Sequence, residues 1–284
     1  MKYIVVTGAS TGIGFGTVAE FIRKQYFVFG SVRNNDDASR LQMTFGQTFK
    51  PLIFDITDES AVENAANIVK NTIHGAGLAG LINNAGVAVS GPLMHTSMKE
   101  LRYQYEVNVT GQMIVTKAFL PLLGARMDNP FPPGKIVFIS SSSGKVAHLF
   151  LGAYVGSKHA IEGIAHVLRI ELQLYKIGVV IIGPGAVNSA IWDKESAQGG
   201  AELFRDTDYG PSVSLFQKYF IKSGKSGFDV LEAGKRIVKI FEKKKNRLRY
   251  PLVKNKFRKW IIPRLLPSNA FDRKIAEKFG LLKK

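Results

Sequence analysis

Residues 3–14 read Tyr3-Ile4-Val5-Val6-Thr7-Gly8-Ala9-Ser10-Thr11-Gly12-Ile13-Gly14, and their reading decides the fold. A run of β-branched and aromatic residues passes through a glycine-rich turn into an amphipathic pattern over 12–25, which predicts strand, turn and helix. Gly8 permits the tight turn, Gly12 lets the backbone approach a bound pyrophosphate, and Gly14 lets helix and strand pack closely. An anion at this turn meets unpaired N–H groups and the positive end of the helix dipole. Alone the turn is a weak signal, because ordinary strand–helix turns also use glycine.

Outward from this unit the pattern repeats. Short apolar runs at 3–7, 27–32, 52–54, 78–82, 136–139 and 179–182 alternate with helical patterns at 12–25, 36–46, 58–73, 98–123 and 153–176. Near-continuous hydrophobic strands suit a parallel sheet covered on both faces. The expected fold class is α/β: a Rossmann doubly wound parallel sheet in three α/β/α layers, with a ligand crevice at the carboxyl ends of the strands. Asp58, ahead of apolar Ala61 and Val62, marks a helix start. Residues 191–228 are mixed, glycine-bearing and aromatic; a helix near 229–243 and a short strand at 247–251 follow. No linker divides the first 240 residues. Residues 1–253 are read as one domain with a substrate loop at about 190–228, and 254–284 as a basic amphipathic extension.

The charge supports that division. Of the net +17, residues 243–284 hold 15 Lys/Arg against 2 Asp/Glu, a net +13. Phe257, Trp260, Ile261 and Leu265 recur there at helical spacing among Lys254, Lys256, Arg258, Lys259 and Arg264, although Pro263 would kink or end such a helix. The stretch suits peripheral contact with a membrane surface or a helix packed on the domain with a charged outer face, and the residues leave both open. No nucleic-acid motif is present, so nucleic acid is not an expected partner. The absence of cysteine excludes disulfides, thiolate chemistry and cysteine metal sites. Histidines 74, 95, 148, 159 and 166 have no ligand spacing, so no metal is expected. Without a leader-like or membrane-spanning run, the expected location is cytoplasmic, with the basic segment allowing peripheral attachment to a membrane surface.

The second strand ends Gly30-Ser31-Val32-Arg33-Asn34. Dinucleotide sites often place an acid there for the ribose 2′-hydroxyl. Here it is missing, and Arg33 follows a neutral Val32. An arginine pairs with a 2′-phosphate that an acid would repel, so the expected cofactor is NADP(H). Tyr154 and Lys158, at i and i+4, share a helix face, and a neighbouring cation favours the phenolate of a tyrosine. A lone pair of this kind is more often a solvated helix face.

The pair does not stand alone. Asn83-Asn84-Ala85-Gly86, Asn108 in Asn-Val-Thr-Gly, Ile139-Ser140-Ser141-Ser142 and Pro184-Gly185 complete an ordered set, and with it the chain resembles the short-chain dehydrogenase/reductase family over roughly residues 1–250. Its G-x3-G-x-G spacing sets it apart from related sugar epimerases, which usually carry G-x2-G-x2-G. The resemblance implies roles residue by residue. Ser141, 13 positions before Tyr154, would hydrogen-bond the substrate oxygen, and Tyr154 would transfer the proton. Lys158 would bond the nicotinamide ribose and lower the tyrosine pKa, while Asn108 would hold a relay water. Gly8, Ser10, Thr11, Gly12, Ile13 and Gly14 would hold the cofactor phosphates, and Arg33 the 2′-phosphate. Asp55 would accept from the adenine, Asn83, Ala85 and Gly86 would line the cofactor, and Val187 and Ser189 would meet the carboxamide. Ser189 stands where the family more often has Thr.

Residues 148–151 and the loop after Ser189, with Trp192, Phe204, Tyr209, Phe216, Tyr219 and Phe220, are expected to wall the substrate pocket. Phe216, Tyr219 and Phe220, at helical spacing, also suit plain core packing. His148-Leu149-Phe150-Leu151 and the run Pro184-Gly185-Ala186-Val187-Asn188-Ser189-Ala190-Ile191-Trp192-Asp193-Lys194 resemble the retinol and hydroxysteroid dehydrogenase-like branch. That implies a small lipophilic substrate, an alcohol, ketone or aldehyde of steroid-, retinoid- or long-chain-lipid type. The family resemblance further implies homodimers or homotetramers paired through the helices near 98–123 and 153–176. A non-catalytic NADP-sensing protein is the alternative; the joint presence of Asn108, Ser141, Tyr154 and Lys158 argues for chemistry.

Overall fold

The computed structural model describes residues 1–188, 200–245 and 247–282. Seven strands, β1 (Lys2–Val6), β2 (Tyr26–Val32), β3 (Phe49–Ile53), β4 (Gly80–Asn83), β5 (Lys135–Ile139), β6 (Gly178–Pro184) and β7 (Arg249–Leu252), form one sheet in the order β3-β2-β1-β4-β5-β6-β7. All pairings in it are parallel. The strand order reverses at β1, so the crevice above the ends of β1 and β4 is the topological switch point of a doubly wound sheet. The expected fold is the observed one.

Strand alternation explains why both faces are covered. Val5, Phe29, Leu81, Phe138 and Ile181 point into one core, packed with residues of α3 (Glu59–Ile73), α5 (Gln112–Phe119) and α6 (Gly152–Glu171). Ile4, Val6, Val28, Ile82, Val137 and Ile182 point into the other, against α1 (Gly12–Arg23), α2 (Asn35–Phe45) and α8 (Val230–Phe241). Each strand buries successive side chains on opposite sides, the pattern required of a sheet sandwiched between helices. Asp58 caps α3 as expected, its carboxylate accepting from Ala61 N at 2.9 Å.

α1 and α8 meet backbone to backbone. A Cβ on Gly16 would lie 2.1 Å from Val230 O, and one on Gly234 would lie 2.0 Å from Gly16 O. No side chain fits this crossing, which ties the helix behind the glycine turn to the C-terminal half of the domain.

Three expectations need correction. The expected single helix at 98–123 is α4 (Met98–Tyr105) and α5 joined by a π-helical turn, Glu106–Gly111. Such widened turns cluster at functional sites, and this one carries Asn108. The segment read as mixed holds α7 (Gly210–Lys225), begun by a proline in its first turn and burying Val213 and Phe216. Its glycine and serine content weakens the helical propensity, and the spacing of Phe216, Tyr219 and Phe220 is the period that packing enforces. In the basic tail, Trp260 is only 5% exposed, whereas Phe257 is 69% and Leu265 77% exposed. The expected apolar stripe is therefore divided between the protein interior and the surface. Beyond it, α9 (Ser268–Lys278) leads to Phe279, which is buried against Phe216 and Tyr219 of α7. Among the described residues, no helix is long and apolar enough to cross a membrane.

Candidate active site

The glycine turn is built for close approach. Gly8 sits at φ 65°, a left-handed conformation that a side chain would strain, and its N–H donates to Ser31 Oγ at 2.9 Å. A Cβ on Gly14 would fall 2.0 Å from Gly8 O and 2.6 Å from Asn84 Nδ2. Thr7 Oγ1 accepts from Asn84 N and Ala85 N at 2.9 and 3.0 Å, and Asn84 Nδ2 donates to Thr7 O at 2.8 Å. These bonds pin the turn after β1 to the end of β4. Thr11 caps α1 through backbone alone, with no side-chain bond and no acid in the first turn. The helix N-terminus beside Ser10 and Ile13 thus presents its N–H groups without an internal anion, and the residues fit a dinucleotide pyrophosphate.

Arg33 is exposed at the end of β2, beside the turn. A second arginine, missed in the sequence, joins it there: Arg40 on α2 donates to Ser10 O at 2.9 Å and pairs with Asp37 at 2.5 Å. It lies seven residues beyond Arg33, one turn or more into α2, where spacing alone gives no signal. Asp55 is exposed and closes a turn, accepting from Thr57 N at 2.9 Å and Thr57 Oγ1 at 2.7 Å. Asn83, expected to line the cofactor, is fully buried, its side-chain amide donating to Thr116 Oγ1 at 2.7 Å. Ala85 and Gly86 remain at the crevice. Val187 is buried and bridged to Phe228, while Ser189 and Trp192 lie outside the described residues.

The residues expected to carry the chemistry gather where β5 ends and α6 begins. Tyr154 and Lys158 occupy the first two turns of α6, whose first turn carries no acid. Lys158 is 4% exposed, donates to Ile139 O at 3.0 Å, and sits with Nζ 5.6 Å from the Tyr154 ring centre. Burial pulls its ammonium down to about 8, against an opposing pull from Glu162. Ser141 lies two residues beyond β5; its Oγ accepts from Ser143 N at 3.1 Å and fixes the turn Ser142–Gly144. Asn108 is fully buried: Oδ1 accepts from Val87 N at 2.8 Å, and Nδ2 donates to Val87 O at 2.9 Å and Ser157 Oγ at 3.1 Å. A Cβ on Gly86 would stand 3.0 Å from Asn108 Oδ1 and 3.8 Å from Lys158 Nζ. Asn108, Lys158 and the β4 loop therefore converge on one point.

An apolar wall adjoins the phenol. Phe150 holds a left-handed φ of 56°, unusual for an aromatic residue and costing about 1 kcal/mol or more. Its carbonyl accepts from Gly91 N at 2.7 Å, and its ring packs edge-on to Tyr209 and Phe216. Leu151, Val213, Phe216 and Phe279 complete this cluster, with Tyr154, Phe204 and Phe220 packed on it. A cleft between Gly91, Phe150, Phe204, Val213, Phe216 and Phe220 opens beside it.

Comparison with known proteins agrees with this geometry. The family described as short chain dehydrogenase matches residues 2–199. The chain is 38% identical to the NADPH-dependent 3-dehydrocapnine reductase of Ornithobacterium rhinotracheale over 96% of its own length and 95% of the relative's. It is 32% identical to the 3-amino-tetrahydro-pyrrolizinone reductase of Xenorhabdus hominickii, over 78% of this chain and 73% of that one. A solved short-chain dehydrogenase from Streptomyces avermitilis superposes with a TM-score of 0.74 at 24% identity, covering 97% of this chain and 94% of that one. With the glycine turn, the buried lysine below Tyr154 and the serine at the end of β5 all in place, this chain belongs to the short-chain dehydrogenase family.

Proposed function

We propose that this protein reduces a carbonyl group on a lipophilic substrate with NADPH, Tyr154 donating the proton. The observation that carries the reading is the buried ammonium of Lys158 beneath Tyr154, beside Ser141 and an apolar wall. When bound, NADPH supplies the hydride. Ser141 and Tyr154 hold the substrate oxygen and stabilise the alkoxide as its charge develops. Lys158 lowers the phenol pKa by its charge and bonds the cofactor ribose. Asn108 fixes the β4 loop and, through Ser157, the start of α6, and serves the relay that returns a proton to Tyr154. Leu151, Phe150 and Phe216 favour an extended apolar substituent over a small polar one. The relatives named as reductases support the direction, and the one named for 3-dehydrocapnine supports a ketone as the reacting group. NADPH oxidation across a panel of ketones and aldehydes of graded chain length tests this reading. Turnover that falls as the apolar chain lengthens would overturn the substrate class.

The cofactor preference has its own test. NADPH is expected to bind more tightly than NADH, and Arg33→Ala to remove most of that preference. A charge-assisted contact to phosphate contributes roughly 1.5–3 kcal/mol, or about tenfold or more in dissociation constant. Arg40, held beside the turn by Ser10, keeps part of the affinity in that variant. Equal dissociation constants for the two cofactors in the unaltered protein would remove the argument.

Self-association belongs to the same reading. Val167, Ile170 and Leu174 are exposed at the far end of α6 and just beyond it, and Met98, Tyr103 and Tyr105 are exposed on α4. Apolar side chains grouped this way favour burial against a second copy. Ile170→Glu is expected to shift the mass in solution towards the monomer by light scattering; a monomeric unaltered protein at micromolar concentration would contradict it.

A further inference from the structure

Behind the reacting groups lies a charged network that the proposed reaction does not use. Glu162 stands one turn beyond Lys158 on α6 and is 3% exposed. It accepts from Ser140 Oγ at 2.7 Å and from Arg249 Nε at 2.9 Å on both carboxylate oxygens, with Lys145 at 3.4 Å on the outer side. Arg249 comes from β7, at the edge of the sheet. Its Nη2 donates to Ser141 O at 2.7 Å, the same carbonyl that accepts from Gly144 N at 3.1 Å. Two glycines clear the space: a Cβ on Gly144 would lie 2.2 Å from Glu162 Oε1, and one on Gly183 would lie 2.3 Å from Arg249 Nη2. The guanidinium is closed in from outside by Trp260, whose ring centre is 4.3 Å from Arg249 Cζ and 4.8 Å from Arg264 Cζ.

We infer that Arg249 is a positioning residue for the reaction centre, tying the Ser141 carbonyl to Glu162 on the helix that bears Tyr154, and that Trp260 of the basic tail clamps it there. The inference rests on the proposed roles of Ser141 and Tyr154. The fork of a guanidinium is rigid and planar, so one side chain fixes two acceptors at a set separation. Here the acceptors belong to the loop that presents Ser141 and to the helix that presents Tyr154. A displacement of about 1 Å between such groups lowers turnover by roughly a hundredfold. A lysine reaches either acceptor but cannot bridge both. Stacking on the indole face fixes the plane of the fork, which gives the tail a part in the reaction although it touches no substrate.

The test uses the full chain and three variants, Arg249→Lys, Trp260→Ala and Trp260→Phe. Hydrogen exchange is read at Ser143 and Gly144, whose amides bond to Ser141, with the β1 and β4 amides as internal reference. Arg249→Lys and Trp260→Ala are expected to speed exchange at the two amides at least tenfold while the reference amides hold, and Trp260→Phe to restore protection. With a turned-over ketone, the same two variants are expected to lose at least thirtyfold in kcat, with KM and the NADPH dissociation constant changed less than threefold. Unaltered exchange at Ser143 and Gly144 in Arg249→Lys would overturn the inference, as would a loss of protection throughout the sheet. So would a kcat that stays within threefold. If the unaltered protein turns over no ketone, the proposed reaction fails and the exchange measurement alone decides this inference.

Discussion

Tyr154→Phe is expected to lower kcat by roughly 10³-fold or more while leaving the NADPH dissociation constant within about threefold. The substitution removes one hydroxyl and no ring. The ring packs against the cluster of Phe150, Leu151, Val213 and Phe216, and that packing survives the change. Lys158 keeps its bond to Ile139 O, so the ammonium remains to meet the cofactor. What disappears is the group able to release a proton to the developing alkoxide. Single-turnover measurements with pre-bound NADPH separate this step from product release. A variant that kept more than a tenth of the unaltered rate would move the acid to another residue.

Lys158→Met is expected to act with opposite sign on activity and on stability. Activity falls at least as far as in Tyr154→Phe, because the phenol loses its cation and the cofactor ribose its donor. Stability at pH 7 rises. The folded protein holds the Lys158 ammonium at about 8, down from 10.5, so folding disfavours its charged form. At about 1.4 kcal/mol per pH unit, this penalty amounts to about 3 kcal/mol, fully present below pH 8 and gone above pH 10.5. Methionine escapes it and loses one hydrogen bond, about 1 kcal/mol. The net gain near neutrality is about 1–2 kcal/mol, a rise of a few degrees in melting midpoint. Between pH 8 and 10.5 the unaltered protein gains on the variant and then overtakes it. Melting curves of both proteins over that range check the crossing. A variant less stable at pH 7, with a gap that ignores pH, would show that Lys158 is not held against a desolvation penalty.

Much of this architecture is legible because its signals are local. The strand centres follow from runs such as Ile4-Val5-Val6 and Val179-Val180-Ile181-Ile182. The turn at 7–14 and the pair Tyr154 and Lys158 are read over a few residues each. What escaped depends on partners far away in the chain. Glu162 gives no local signal, because the partner that marks it, Arg249, lies 87 residues later in the chain. Trp260 reads as the apolar member of a basic surface stretch, and is buried because two arginines flank its ring. Asn83 sits in a motif that resembles a cofactor contact, yet the partner that fixes its side chain is Thr116 on α5. In α7 the helical spacing of Phe216, Tyr219 and Phe220 is visible but its bounds are not, since Gly210, Ser212, Ser214 and Gly224 weaken its propensity while Phe216 anchors it in an aromatic cluster.

The widened turn at Glu106–Gly111 carries a consequence for insertions and deletions. A helix converts residue number into direction, about 100° for each residue. A π turn spends about one residue more than an α turn before returning to the same direction. Everything downstream, including the buried Val115, Thr116 and Phe119, is aimed by that count. Deleting a single residue from the segment would leave the hydrophobic content of α5 intact and let it stay helical. It would close the wide turn to an ordinary α turn and leave those three side chains facing α3 and the sheet, whereas the same deletion within α4 or α5 would swing them by about 100°. A relative that aligns here with a one-residue gap therefore has a plain α-helix with the same buried face, not a rotated one.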